Sequence, residues 1–314
     1  MKIVLLENLG VSPEKIEEEK KKLAEMGHSL EVYERTTDLD TLKKETEDAE
    51  VILLANMPLP AEVIEADPNL RYIDVAFTGV DHVPMALVKE KGIALSNASG
   101  YATDAVAELA IAMTIDRLRH IEELEVRARD GQTKAGIRGN LLKGKTVGIV
   151  GCGAIGKQTA RLFKAFGCKI LGYNRSEVKD PVIDQQVDLD TLMKESDVVS
   201  VHVPLTDQTR HLIDKEHLEM MKPSAILINT ARGPVVDEDA LAELLEQGRP
   251  AGAGIDVFDK EPPLDPNLPI LKAPNTTVTP HMGFDSVESM EMRFEIVFDN
   301  LYGWIEGKAL NRIC

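Results

Sequence analysis

The sequence predicts an α/β fold built on parallel sheets that helices cover on both faces, and three observations predict it. Short β-type runs alternate with helical segments almost from end to end. The longest apolar runs, such as VILLA at 51–55 and TVGIV at 146–150, are strand-sized. The chain has 314 residues, enough for two domains that each bury a core.

In chain order, the first strand is 2–6 (KIVLL), a buried element. Ser12 and Pro13 then form a helix start, with Ser as cap and Pro in the first turn, and that helix ends near Gly27. Strands follow at about 29–33, 51–55, 71–76 and 93–96, with helical or turn segments between them. A long helix from about Thr103 to Arg119 contains AVAELAIAMTI, apolar nearly all round, which places it in the interior at a domain or subunit junction. After the polar stretch 128–145 the alternation restarts, with strands at 146–150, 169–173, 198–203, 225–229 and 252–256. The last element is a helix at about 286–306. Its Met290, Phe294, Val297, Leu301 and Trp304, spaced 4, 3, 4 and 3 apart, form one apolar stripe for docking on another surface.

Composition narrows the function classes. Apolar content of 43% and charged content of 28% are ordinary for a soluble globular protein. No apolar run is long enough to span a bilayer, and the N-terminal run, stopped at Glu7, is too short for a secretory signal. Cys152, Cys168 and Cys314 have no metal-ligand spacing and make no disulfide framework, so the expectation is a reducing cytoplasm and no metal. A formal net charge of −17 opposes nucleic acid and anionic membrane as partners. If the substrate is a carboxylate, a local cation must overcome that field.

Strand 146–150 leads into Gly151-Cys152-Gly153-Ala154-Ile155-Gly156, with a helix expected to begin near Lys157. A glycine-rich turn in that strand-to-helix context reads as a dinucleotide fingerprint. Gly151 permits the tight turn, Gly153 lets the backbone approach a pyrophosphate, and Gly156 lets the helix pack on the strand. The N–H groups at the helix start then bind phosphate. The second strand ends at Asn174-Arg175-Ser176, and Asn174 lies 23 positions after Gly151, where an NAD-binding protein usually has an acid for the ribose hydroxyls. Asn174 can still hydrogen-bond a ribose. Arg175 and Ser176 suit a 2′-phosphate by charge and hydroxyl donation, which favours NADP(H) over NAD(H). The alternative is NAD bound through Asn174, with Arg175 a solvated turn residue.

Three ionisable residues follow, each near the C-terminal end of a strand: Arg232 in INTARG, Glu261 after DVFDK and His281 in TPHMG. Ligands of open parallel sheets bind outside those ends. Hydride transfer to a carbonyl needs a proton for the developing alkoxide, and His281, with a reference pKa of about 6.5, is the candidate acid for reduction and base for oxidation. Glu261 is expected to orient the imidazole and stabilise its protonated form. Arg232 is expected to bind a substrate carboxylate bidentately and polarise the carbonyl. Taken singly, each has an ordinary alternative: a surface arginine, a solvated glutamate, a core histidine.

With these residues identified, the chain resembles the D-isomer-specific 2-hydroxyacid dehydrogenase family over essentially its whole length. VGIVGCGAIGKQTA, VHVPLTDQTRHLI, LINTARGPVVDEDAL, GAGIDVFDKEPP and TPHMGF occur in the family's order and spacing. The resemblance implies two doubly wound parallel-sheet domains, a Rossmann cofactor domain at 100–284 inserted in a flavodoxin-like substrate domain of 1–99 and the C-terminal helix 285–314. It implies the Arg232–Glu261–His281 triad, further cofactor contacts from His202, Val203, Pro204, Thr230 and Asp256, and a homodimer built around the first long helix. It also implies that the N–H groups of Thr78 and Gly79 hold the substrate carboxylate, beside Arg232 and His281.

The segment GYATDAVAE at 100–108 looks like the glycerate dehydrogenase (hydroxypyruvate-glyoxylate reductase) branch, with Tyr101 either touching substrate or packing. The D stereochemistry rests on the resemblance alone. There are departures: Pro84 replaces a frequent Asp, segment 130–137 lacks the usual Trp of a dimer contact, and Phe284 is larger than the residues common there. The rival readings are a D-lactate-type or broad 2-oxo acid reductase, a nicotinamide-sensing binding protein and a formate dehydrogenase. The last does not need the retained acid–base pair.

Overall fold

A computed structural model describes residues 1–261 and 263–314; Pro262, inside the GAGIDVFDKEPP segment, lies outside the described residues. The chain divides into two compact units, Met1–Ala102 with Asp285–Cys314, and Thr103–Phe284.

The first unit begins with β1 (Lys2–Leu5), α1 (Pro13–Glu25), β2 (Ser29–Val32), α2 (Leu39–Glu45) and β3 (Val51–Leu54). It continues with α3 (Ala61–Ala66), β4 (Tyr72–Val75), α4 (Met85–Glu90) and β5 (Ala94–Asn97). The strands form one parallel sheet in the order β2-β1-β3-β4-β5. β3, β4 and β5 are buried along their whole length, as strands covered on both faces must be. Helix α1 carries Pro13 at its first position as expected, but Ser12 makes no side-chain cap. The Glu14 carboxyl is held below its usual range, first by its own backbone N–H and then by the Ser12 hydroxyl.

The second unit opens with α5 (Thr103–Arg119) and α6 (Ile121–Arg129). Of the 17 residues of α5, Val106, Ala107, Ala110, Ile111, Met113, Thr114 and Leu118 are buried, while Asp104, Glu108 and Ala112 are exposed, so one side of this helix is interior and a stripe of it is not. α6 runs into the stretch read as polar from 128 onwards and buries none of its residues. Then come β6 (Thr146–Val150), α7 (Ala154–Ala165), β7 (Lys169–Tyr173), β8 (Gln185–Gln186), α8 (Leu189–Glu195) and β9 (Val198–Val201). α9 (Lys215–Met220), β10 (Ile226–Asn229), α10 (Glu238–Glu246), β11 (Gly252–Ile255), α11 (Pro269–Lys272) and β12 (Thr276–Val278) complete it. The seven strands are parallel, in the order β12-β11-β10-β9-β6-β7-β8. The two short edge strands β8 and β12 have no apolar run to announce them.

The chain ends in α12 (Val287–Ile305), which belongs to the first unit. Its apolar stripe docks on β4 and β5: Met290, Phe294, Val297 and Leu301 are buried, and Trp304 stacks on Tyr72 with ring centroids 4.8 Å apart and planes 6° from parallel. Such a stack contributes about 0.5–1.5 kcal/mol beyond area burial. Residues beyond the helix add to the edge of β5, where the Ile313 N–H donates to the Leu95 carbonyl at 2.8 Å. No helix among the described residues is long and apolar enough to cross a membrane.

Each sheet reverses its winding once, between β1 and β3 and between β6 and β9. Loops leaving neighbouring strands at such a point run to opposite faces, and the crevice left outside the carboxyl ends is where ligands of this architecture bind.

Candidate active site

The glycine loop lies at the reversal point of the second sheet. Gly151 has φ +98°, and a Cβ there would come within 2.8 Å of the His202 carbonyl. A Cβ on Gly156 would meet the Gly151 oxygen at 2.0 Å. These two glycines permit the tight turn and the approach of helix to strand. Around Gly153, by contrast, a Cβ would meet nothing within 4 Å. Gly153 is the N-cap of α7, so the helix begins at Ala154, three residues before the expected Lys157. Its first turn therefore contains Ala154, Ile155 and Gly156, whose N–H groups have no acceptor within the helix. They carry the positive end of the helix dipole.

Asn174, just past β7, ties this loop to the next turn. Its Oδ1 accepts the Cys152 N–H at 3.3 Å, and its Nδ2 donates to the Ser176 carbonyl and hydroxyl at 3.1 and 3.0 Å. Arg175 is exposed, with Nη1 3.5 Å from Gln208 Oε1. Across β9, His202 bonds Ser200 Oγ through Nε2 at 2.9 Å, while burial pushes its pKa down to about 3 and keeps the ring neutral. Val203 packs its Cγ1 toward Gly151, and the Pro204 carbonyl accepts the Thr209 hydroxyl at 2.6 Å. His202 Nδ1 and Thr230 Oγ1 are buried polar atoms with no partner among the described residues. Buried polar groups are normally satisfied, so such orphans point to a missing partner.

His281 and Glu261 come together: Nδ1 lies 2.6 Å from Glu261 Oε2, although the residues are 20 positions apart. His281 has φ +58°, a left-handed conformation uncommon for a side-chain-bearing residue. Asp256 enforces that turn. Its Oδ1 accepts the Thr279 hydroxyl at 2.5 Å and the Met282 N–H at 2.9 Å, and its Oδ2 accepts the Gly283 N–H at 2.8 Å. Burial pushes the Asp256 carboxyl above its usual range, while these three bonds and the neighbouring His281 pull it back down. Asp256, expected to contact cofactor, thus has both oxygens engaged by the histidine loop. Phe284 sets its ring edge-on to the His281 imidazole, 5.5 Å between centroids.

Arg232 lies on the loop after β10. Asn229, the last residue of that strand, accepts the Ala231 N–H and donates to the Arg232 carbonyl, shaping the turn, while Arg232 Nη1 donates to the Ala231 carbonyl. A Cβ on Gly233 would fall 1.9 Å from the Phe258 carbonyl carbon. Only glycine lets this loop pass against residues 258–259, on the segment that leads to Glu261. Glu238 adds a tie, accepting the Asp259 N–H at 3.3 Å. Sequence reasoning overlooked Asn229 and Glu238; Gly233 stood beside Arg232 as a readable signal.

Thr78 and Gly79 belong to the other unit, in the loop after β4. Asn97 Nδ2 holds the Thr78 carbonyl at 2.7 Å, and nothing among the described residues accepts the N–H groups of Thr78 and Gly79. Nearby, Tyr101 tilts against Phe77, with ring centroids 6.1 Å apart, and is 3% exposed.

Residues 111–283 match the family model described as "D-isomer specific 2-hydroxyacid dehydrogenase, NAD binding domain". The chain is 39% identical over 263 residues to a hydroxypyruvate reductase of Thermotoga maritima, covering 83% of this chain and 86% of that one. It is 41% identical over 270 residues to a glyoxylate reductase of Thermofilum pendens, covering 83% and 79%. Among solved structures, a glyoxylate reductase from Paecilomyes thermophila superposes with a TM-score of 0.90 at 30% identity, over 99% of this chain and 98% of that one. A glycine loop at the sheet reversal, a histidine–glutamate pair on a braced turn, and these similarities agree: the chain belongs to the D-isomer specific 2-hydroxyacid dehydrogenase family.

Proposed function

We propose that this protein reduces a small 2-oxo acid to the D-2-hydroxy acid with a nicotinamide cofactor, hydroxypyruvate and glyoxylate being the favoured substrates. The His281–Glu261 contact at 2.6 Å, on a turn braced by Asp256, is the observation that carries this reading. The substrate preference draws on the names of the hydroxypyruvate and glyoxylate reductases to which the chain is similar.

The residues present fit the cofactor. The open approach to Gly153 and the first-turn N–H groups of α7 suit a pyrophosphate, and the orphaned Thr230 hydroxyl and His202 Nδ1 suit its polar edges. When bound, reduced nicotinamide supplies a hydride to the substrate carbonyl carbon. Glu261 accepts the hydrogen bond from Nδ1 of His281, which leaves Nε2 as the nitrogen that delivers a proton to the carbonyl oxygen. The net change is 2-oxo acid, reduced cofactor and one proton to 2-hydroxy acid and oxidised cofactor. Arg232 supplies the local cation that a carboxylate substrate needs against a net charge of −17. The N–H groups of Thr78 and Gly79 are the second carboxylate contact we assign.

NADP(H) is the cofactor we favour, because the turn after β7 offers Arg175 and Ser176 and has Asn174 in place of the acid that would repel a 2′-phosphate. Arg175→Ala is expected to raise KM for NADPH about tenfold or more and KM for NADH far less; equal effects would remove the 2′-phosphate assignment. We further propose a cytoplasmic homodimer. Three cysteines free of disulfides support the compartment. The exposed Ile121, Val126 and Leu141 on and beyond α6 support the dimer, which light scattering after size exclusion tests.

The decisive experiment is a panel of hydroxypyruvate, glyoxylate, pyruvate and phenylpyruvate with NADPH and NADH. Higher kcat/KM on pyruvate than on hydroxypyruvate would move the protein to a lactate-type specificity. Cofactor binding without turnover of any acid would make it a binding protein.

A further inference from the structure

The edge strand β8 is two residues long and exposed, yet its Gln186 makes three hydrogen bonds to one turn. Nε2 donates to the carbonyls of Asn174 and Ser176 at 3.2 and 3.0 Å, and Oε1 accepts the Val178 N–H at 2.8 Å. Parallel pairing with β7 sets Gln186 opposite Gly172, two residues before Asn174, within reach of the turn. The Ser176 carbonyl thereby receives two donors, Gln186 Nε2 and Asn174 Nδ2 at 3.1 Å, and both its lone pairs are used. Asn174 passes the constraint on to the glycine loop through the Cys152 N–H. A single amide side chain thus holds the main chain on both sides of Arg175.

Phosphate recognition by a guanidinium is bidentate and loses strength quickly when the fork is misplaced. An exposed turn would otherwise have to be ordered at the moment of binding, at the expense of affinity. We infer that Gln186 is a positioning residue for cofactor selectivity, pre-forming the 174–178 turn so that Arg175 and Ser176 meet the 2′-phosphate of NADP(H). This inference rests on the reading that Arg175 binds that phosphate. It also explains the amide at position 174: an Asp there would accept from Cys152 but would face the Ser176 carbonyl with no donor.

The test uses the full-length enzyme with saturating glyoxylate, measuring KM and kcat for NADPH and NADH in Gln186→Ala, Arg175→Ala and the double variant. Gln186→Ala is expected to raise KM for NADPH roughly five- to twentyfold, comparable to losing one or two net hydrogen bonds. KM for NADH should change by less than about twofold, with kcat holding within about twofold for either cofactor. In the Arg175→Ala background the same substitution should add little for NADPH, because the residues act as a unit. Gln186→Glu, which keeps the acceptor for Val178 but sets a carboxylate against two carbonyls, should raise KM for NADPH at least as much. An equal rise for both cofactors means a merely structural role, and no rise means the turn needs no brace; either overturns the inference. If Arg175→Ala is selective for NADPH while Gln186→Ala is not, only the positioning role falls. If Arg175→Ala affects both cofactors equally, the underlying phosphate reading falls with it.

Discussion

Two buried carboxylates, one on or just past an interior strand of each unit, are hydrogen-bonded very differently. Asp74 on β4 is wholly buried, and Asp256, one residue past β11, is 1% exposed. Asp256 accepts three hydrogen bonds, two from main-chain N–H groups and one from a threonine. Asp74 accepts one, from Asn300 Nδ2 at 3.2 Å, and burial pushes its pKa to about 8 against the opposing pull of Asn300 and Tyr72. The first carboxylate is surrounded by donors and braces the loop of His281. The second is poorly solvated, carries its proton at neutral pH, and belongs to the packing of α12 on the sheet. Burial pushes both carboxyls up, and the donors around each decide how much of that push is opposed.

The largest effect expected anywhere in the molecule sets the ceiling for what Asp256 can do through its loop. His281→Ala should lower kcat by about 10²–10⁴ with cofactor affinity largely retained, read from steady-state kinetics and cofactor titration. A rate near that of the wild type would remove the acid–base assignment and with it the purpose of the braced turn. Next comes Asp256→Asn, which keeps one acceptor but turns an NH2 group toward the Gly283 N–H or the Thr279–Met282 pair. One unmatched buried donor costs about 1–3 kcal/mol, so kcat should fall roughly tenfold to hundredfold. If only the KM for cofactor moves, Asp256 acts on the cofactor and not on the histidine loop.

The same chemical change at Asp74 should leave turnover unchanged and act on stability in the reverse direction. A carboxyl whose folded pKa is raised is penalised as pH climbs above its unfolded value of about 3.9. The penalty grows by up to about 1.4 kcal/mol per pH unit until the folded state itself ionises, which for Asp74 is near pH 8. Asp74→Asn removes that slope and keeps an acceptor for Asn300. The Tm of the variant relative to the wild type should therefore rise steadily between pH 5 and pH 8. A difference independent of pH would show that Asp74 does not titrate as its surroundings dictate.

Much of this site was legible before any coordinates, and the reason is locality. The glycine loop is a pattern within six consecutive residues, because Gly151 and Gly156 clear close approaches that the turn itself creates. The stripe on α12 was readable for the same reason, since helical periodicity is written every three or four residues. The start of α7 was misjudged by three residues, because a first turn of Ala154 and Ile155 looks like loop until a Gly153 cap is seen to precede it. The edge strands β8 and β12 lacked the apolar run that marks a buried strand. The Ser12 side chain, the expected cap of α1, makes no cap hydrogen bond.

By itself, then, the sequence determined the α/β alternation, the position of the glycine loop, the choice of His281 and Glu261 as the candidate pair that the fold brings together, and the family. All of these depend on residue type at short spacing or on motifs in a fixed order. Only the tertiary structure decided that Asp256 braces the turn of His281 from 25 positions away, that Gly233 is the one residue able to pass beneath Phe258, and that Gln186 holds the turn of Arg175. Each is a contact between segments that folding brings together. Hydrogen-bond direction and a clearance of a few ångströms leave no trace in residue type alone.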